Sequence, residues 1–295
     1  FKQKTAYEIY QCDWSSEVCS SDLIANISGW TDKVGLTVME KAAAGGAISL
    51  ASAGSVVVKR DATLDVSGGR VDYAAARVTE SRAVTRSGVS YRLNDAPTNL
   101  IYTGLATAQH NEAAYSEGRS AGSVSITGSS IALAGTLTAN TYRGERQRNL
   151  GNPASDRYSV PYGGLLTIRD YQTADSGLAD QAAAYRQAQV RFINGPSAVA
   201  DNLNAGDMAG PLLELSTSLA GAGFSRFDIL SLGRIDVPTG VSLALAPGGS
   251  FAASGRQVYV GGQITVPAGT ISIDTKQSVS EHASDASYST LVVDG

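Results

Sequence analysis

The stretch "GRIDVPTGVSLAL" at 233–245 can be laid on "GRQVYVGGQITV" at 255–266, with Gly233 over Gly255 and, after one inserted residue, Ile235 over Val258. This recurrence near 22 residues constrains the fold more than any other feature, because so short a unit cannot bury its apolar face alone and must stack on the next. Three short strands per unit is what one layer of a parallel β-helix requires. Ile229, Ile235, Val237, Val241, Leu243, Leu245, Val258, Val260, Ile264, Val266, Ile271 and Ile273 alternate with polar or small residues, so one face of each strand is expected to enter a shared core. β-Branched side chains suit that face because they stack on their counterparts one layer away.

Similar text begins at Gly45, with "AISLAS", "SVVVKR" and "ATLDVSGG", then "GSVSITG", "SIALAG" and "GLLTIRD". Glycine, at 32 of 295 residues, exceeds the usual ~7%, while charged residues at 17% fall below the usual ~25%. Many turns and few charged faces favour an all-β body. An antiparallel sandwich would show regular strands too, but the two-residue hairpin signals Asn-Gly and Asp-Gly occur only as "NG" at 194–195 and the final "DG". The expected fold is therefore all-β, a right-handed parallel β-helix (solenoid) with loop and short helical insertions.

The first 23 residues, "FKQKTAYEIYQCDWSSEVCSSDL", read differently. They have no clear period and no apolar face, but Lys2 to Ile9 is what AAG CAG AAG ACG GCA TAC GAG AT encodes, one end of a short-read sequencing adapter. Asp13 to Leu23 resembles the other end, with Glu17 where the adapter gives Asp. Residues 1–23 are accordingly expected to be an adapter artefact and are set aside. With them go both cysteines, Cys12 and Cys19, so cysteine says nothing about redox compartment or metal. Two lysines and four acids go as well, which takes the formal charge from −4 to −2. Such a chain has no electrostatic reason to seek nucleic acid or anionic membrane, and no apolar run approaches the ~20 residues of a membrane-spanning helix.

The remaining sequence divides into 24–170, with long excursions at about 70–118 and 141–160; a partly helical insertion at 171–211; and 212–295, where the strand text resumes and is expected to stop inside a layer. Subtracting the excursions leaves roughly 160 residues, or about seven layers and a rod of about 35 Å at ~4.8 Å per layer.

"ATLDVSGGRVDYAAARVTESRAV", "YTGLATAQH", "YSEGRSAGSVSI", "LAGTLTA" and "LAGAGFSRFDILSLGRIDVPTGVSLALAPGGSFAASG" follow one another as do blocks of filamentous haemagglutinin-type exoproteins, which the chain resembles over most of 45–275. The resemblance implies a two-partner-secretion substrate of a Gram-negative bacterium. Such a protein is threaded through an outer-membrane β-barrel transporter and folds outside as a β-helix. The implied role is a non-enzymatic, adhesin-like rod, secreted or held at the cell surface, with host glycans or cell-surface receptors as partners and no cofactor. An alternative is the stalk of a contact-dependent toxin-delivery exoprotein.

A polysaccharide-cleaving β-helix is the enzymatic alternative, and it needs carboxylates converging on one groove. Asp61, Asp65 and Asp72, near Arg60 and Arg70, are the nearest cluster, and each is expected on a solvated strand or turn. His110 and His282 lie in polar text that reads as loop, without a metal-ligand spacing. "GGRVDY" at 68–73 only partly matches calcium-binding glycine repeats. Arg143, Arg146, Arg148 and Arg157 form a loop diluted by Glu145 and Asp156. No catalytic, cofactor or metal residue is expected.

Overall fold

Short alternating runs separated by glycine corners become short strands, most of them paired in parallel with a run from elsewhere in the chain. The computed structural model describes residues 43–149, 151–153, 158–170, 189–197, 212–231, 233–275 and 290–294, and within them the chain is all-β with long parallel sheets. A first set comprises β1 (Ala47–Ala51), β2 (Ser55–Val58) and β3 (Thr63–Asp65). An arm follows: β4 (Arg70–Tyr73), β5 (Ala76–Thr85), β6 (Ser90–Arg92), β7 (Tyr102–Glu112) and β8 (Tyr115–Gly118). Then come β9 (Ser123–Gly128), β10 (Ser130–Leu133) and β11 (Thr136–Thr138). β12 (Gly164–Asp170), β13 (Gln189–Ile193), β14 (Leu212–Ser216) and the one-turn helix α1 (Ser218–Gly221) precede two further sets. These are β15 (Phe224–Leu230), β16 (Arg234–Val237) and β17 (Ser242–Ala244), then β18 (Ser250–Gly255), β19 (Gln257–Val260) and β20 (Gln263–Thr265). β21 (Thr270–Thr275) and β22 (Thr290–Val293) complete the described strands.

One six-stranded sheet runs β1-β9-β12-β15-β18-β21 with every pair parallel. Its inward positions form two ladders, Ile48–Val124–Leu166–Phe227–Phe251–Ile271 and Leu50–Ile126–Ile168–Ile229–Ala253–Ile273. A second parallel sheet runs β14-β13-β16-β19-β22, and β2/β10, β3/β11 and β17/β20 are parallel pairs. Counted at ~4.8 Å per strand, as for the expected rod, the six described strands of this sheet span about 29 Å.

The core departs from the expected list at two places. Phe192, Phe224, Phe227 and Phe251 are its largest fully buried side chains, and Phe192 lies in the stretch expected as a partly helical insertion. Residues 189–193 are instead strand β13, seated between β14 and β16 with Val190 opposite both Leu213 and Ile235. The alternation Val190, Phe192 gives that run its buried face. The remainder of 171–211, apart from 194–197, lies outside the described residues up to Leu212, as do residues 1–23. At the other place, Ile271 is 49% exposed although it is the register partner of Phe251, because β21 is the edge strand of its sheet.

The arm is antiparallel throughout and pairs with no strand of the parallel sheets. β4 pairs β8, and β6-β5-β7 form a three-stranded sheet. Among the described residues, antiparallel pairing is thus confined to 70–118.

Candidate functional site

The three carboxylates singled out by sequence do not act together. Asp65, on β3, accepts the Ser67 amide at 2.9 Å. The Ser67 hydroxyl, that amide and the Thr138 hydroxyl hold its carboxyl below the usual range. Asp72, on β4, accepts the Ser116 hydroxyl and the Arg70 Nε–H (2.8 Å), and both keep it ionised to lower pH. Asp61 is exposed in the turn closed by the Ala62 amide on the Lys59 carbonyl (2.9 Å). A solvated turn, a cap and an ion pair are three separate tasks. They do not form a pair of carboxylates facing one bond.

A polar cluster does form where the arm meets residues 142–149. The Arg70 guanidinium lies 3.8 Å from the Tyr142 ring centroid, and that of Arg146 lies 3.7 Å from the Tyr115 ring while also pairing with Glu112. Tyr115 stacks on Tyr73 with centroids 4.6 Å apart. The Ser116 amide donates to Glu145 Oε2 at 3.0 Å, which is the chief reason the Glu145 carboxyl titrates low. Arg146, aided by His110, does the same for Glu112.

Gln147 closes the cluster. It is 2% exposed; its Oε1 accepts the Gly118 and Gly144 amides and its Nε2 donates to the Gly118 carbonyl, each at 2.9 Å. The arginines of this loop are used internally: Arg143 Nε donates to the Gln147 carbonyl and Arg148 Nε to the Glu145 carbonyl, both at 2.8 Å. Arg157 and His282 lie outside the described residues.

His110 is not in a loop. It sits on β7, with Nε2 3.2 Å from Glu112 Oε2 and Nδ1 3.9 Å from Glu80 Oε1. The signal was the spacing His110-Asn-Glu112, because residues i and i+2 of a strand share a face. Residues 118–122, "GRSAG", fit the G-x-S-x-G nucleophile pattern, against the expectation that the sequence holds no such elbow and no catalytic residue. That pattern needs a strand–turn–helix corner. Here Ser120 joins β8 to β9, its Oγ accepting the Tyr162 amide at 3.0 Å and its carbonyl the Gly45 amide at 2.8 Å.

A cleft of about 290 Å³ lies beside α1, walled by Leu133, Leu137, Pro196, Leu215 and Leu219 with Glu214 among its polar groups. One carboxylate in an apolar cleft cannot supply both the acid and the base of glycoside cleavage. Among the described residues no group of three or more His, Cys, Asp or Glu could hold a metal ion, and no helix is long and apolar enough to cross a membrane. The cluster's chemistry is that of a clamp: Arg70 and Arg146 pair with Asp72 and Glu112, and the Ser116, Gly118 and Gly144 amides have side-chain partners. Comparison with protein-family models, curated proteins and solved structures finds no match to the chain.

Proposed function

We propose that the chain is a segment of a filamentous haemagglutinin-type two-partner-secretion exoprotein, built as a right-handed parallel β-helix and serving as a stiff, non-enzymatic, adhesive rod. The observation that carries this reading is the set-on-set pairing of the spine. β15, β16 and β17 pair in parallel with β18, β19 and β20 respectively, so one whole set of three repeats on the next. Parallel strands joined by crossovers take the right-handed sense in about 98% of cases, which favours that hand for the coil.

Function follows from mechanics. The first two sets, β1–β3 and β9–β11, and the last two, β15–β17 and β18–β20, are bonded along three sides, and the sets share one apolar core, so the body cannot pivot as beads on a linker do. A rod of this kind holds distal regions away from the cell. The clamped arm at 70–118 gives it a lateral feature through which host glycans or cell-surface receptors could be met. The localisation that follows is secreted or cell-surface, with an outer-membrane β-barrel transporter as the export partner.

The test is expression of the uninterrupted gene in Gram-negative cells with and without its partner transporter. Surface filaments seen by negative-stain microscopy only when the transporter is present are expected. Filaments exported equally without it would sink the export reading. Turnover of acidic glycans abolished by replacing Asp61, Asp65 and Asp72 with Asn would replace the rod with an enzyme.

A further inference from the structure

β7, eleven residues, is the longest strand among the described residues, and within them it is used on one side only. It pairs with β5 from Ala76↔Glu112 to Thr85↔Tyr102, and the sheet order β6-β5-β7 leaves its other edge without a partner strand among the described residues. Thr103, Gly104, Leu105, Ala106 and Thr107 are all exposed, Leu105 at 74%. Natural edges are blunted by lysine, proline or inward charges, because a row of free amides and carbonyls templates another strand. From Tyr102 to Gln109 this edge carries no charged residue and no proline. Its one blunting device is the register shift at Val84/Thr85, which leaves Thr103 as an extra residue and confines the edge that a strand can pair.

We infer that β7 pairs antiparallel with β7 of a second copy, about a two-fold axis at Leu105, to join the two arms into a six-stranded sheet. The choice of occupant rests on self-complementarity. In that register Leu105 faces Leu105 and Gly104 faces Ala106, a regular run that the bulge at Thr103 bounds and that still falls within the ordinary range of strand lengths. Facing its own copy, Leu105 buries apolar surface that is 74% exposed in the single chain. Moving the axis to residue 106, 107 or 108 sets Leu105 against Thr107, Gln109 or Asn111 instead and leaves it unmatched. A parallel arrangement would bring Glu112 towards its own copy, whereas the antiparallel one separates them.

The register also completes an apolar row. Leu105 is opposite Ala83, which is 5% exposed, and Ala83 is opposite Tyr91 on β6. Pairing about Leu105 therefore runs Tyr91–Ala83–Leu105 into its symmetry mate, an isologous contact in which each copy contributes the same patch. So short a paired run makes a small interface, so the dimer is weak and reversible.

The test uses the full chain with Cys12→Ser and Cys19→Ser, so that introduced thiols act alone. Under mild oxidation Leu105→Cys should form an intermolecular disulfide at least tenfold faster than Ile101→Cys, although Ile101 is the more exposed at 83%. By sedimentation, the unmodified chain should dimerise reversibly with concentration, and Leu105→Lys, which sets like charges on the axis at a solvent-facing position, should weaken the dimer at least tenfold. Equal cross-linking at 101 and 105, or a Leu105→Lys dimer as strong as the parent's, overturns the inference. A monomer at every concentration whose arm instead takes up an extended peptide or adsorbs to phospholipid vesicles also overturns it.

Discussion

Ile235 and Val258 are register partners in the parallel β16/β19 pair, 0% and 2% exposed, and the next residue in the same column is Leu291 on β22. Stacking like on like through successive layers is how this chain makes a core without any long element. Along the column, burial decides energy more than residue type does. Ile235→Ala should cost about 2–5 kcal/mol, the range for a large-to-small change in a packed core. Ile271→Ala, at the half-exposed edge, should cost well under half as much. Chemical denaturation of both variants checks this, and equal losses would show that layer position does not govern packing here.

Glycine corners fix how closely layers approach. A Cβ on Gly122 would stand 1.7 Å from the Gly46 carbonyl oxygen, a backbone atom that cannot swing aside. Gly122→Ala should therefore destabilise by about 1–3 kcal/mol through forced displacement of the first layer. Gly46→Ala, whose Cβ would meet nothing within 4 Å, should be nearly neutral. Thermal melts of the pair separate close approach from a general intolerance of substitution at corners.

The spine was legible in the sequence where spacing and alternation agree. Ile235 over Val258 (23 residues), Phe227 over Phe251 (24) and Leu243 over Ile264 (21) lie close to the recurrence of about 22, and the differences are absorbed at the corners. β13 was not legible, because an Ala- and Gln-rich stretch precedes it and the order β14-β13-β16 puts a strand beside others that chain order does not predict. The clamp was hidden for a related reason. Tyr142 and Gln147 are unremarkable residues 26 and 31 positions after Ser116, and only the fold makes Gln147 the partner of two amides and one carbonyl.

Ala268 has φ +51°, the left-handed region that a Cβ disfavours, while Gly248, which also follows a proline in the preceding set, has φ +78°. A non-glycine residue in that region costs roughly 1–2 kcal/mol, and the added freedom of glycine in the unfolded chain returns about 0.4–1 kcal/mol of that. Ala268→Gly should thus stabilise by about 0.5–1 kcal/mol. A lower melting temperature for this variant would mean that the Ala268 methyl contributes packing beyond its strain.

Acid should loosen the arm first. Asp72, Glu112 and Glu145 all titrate lower in the folded protein than in the unfolded chain, held by the Ser116 hydroxyl, the Arg146 guanidinium and the Ser116 amide respectively. A depressed carboxylate contributes stability above its unfolded pKa, and that stability is lost as pH falls through the folded one. The window therefore opens below about pH 4. Proteolysis of the arm by pepsin, followed from pH 4.5 to 2, should accelerate as pH falls, and the acceleration should be smaller in Asp72→Asn and Glu112→Gln. Identical profiles for parent and variants would remove these groups from the acid response.

Gln147 gives the sharpest test of the clamp, because its three hydrogen bonds are all to backbone that has nowhere else to turn. Its amide is nearly fully buried, and the two amides it accepts belong to Gly118 and Gly144, at the end of β8 and in the loop beneath the arm. Replacing it with Leu keeps the bulk and orphans two donors and one acceptor. A buried group left unpaired costs about 1–3 kcal/mol, so a loss of several kcal/mol is expected if no water reaches the site. Gln147→Glu separates bulk from bonding: it keeps both acceptor roles and cannot donate to the Gly118 carbonyl unless protonated. It should fall between the parent and Leu at neutral pH and move towards the parent as acid protonates it, against the general trend of the molecule. Amide hydrogen exchange at Gly118 and Gly144 reads this directly. Protection unchanged in Gln147→Leu would mean that these amides are held by something other than the side chain that caps them.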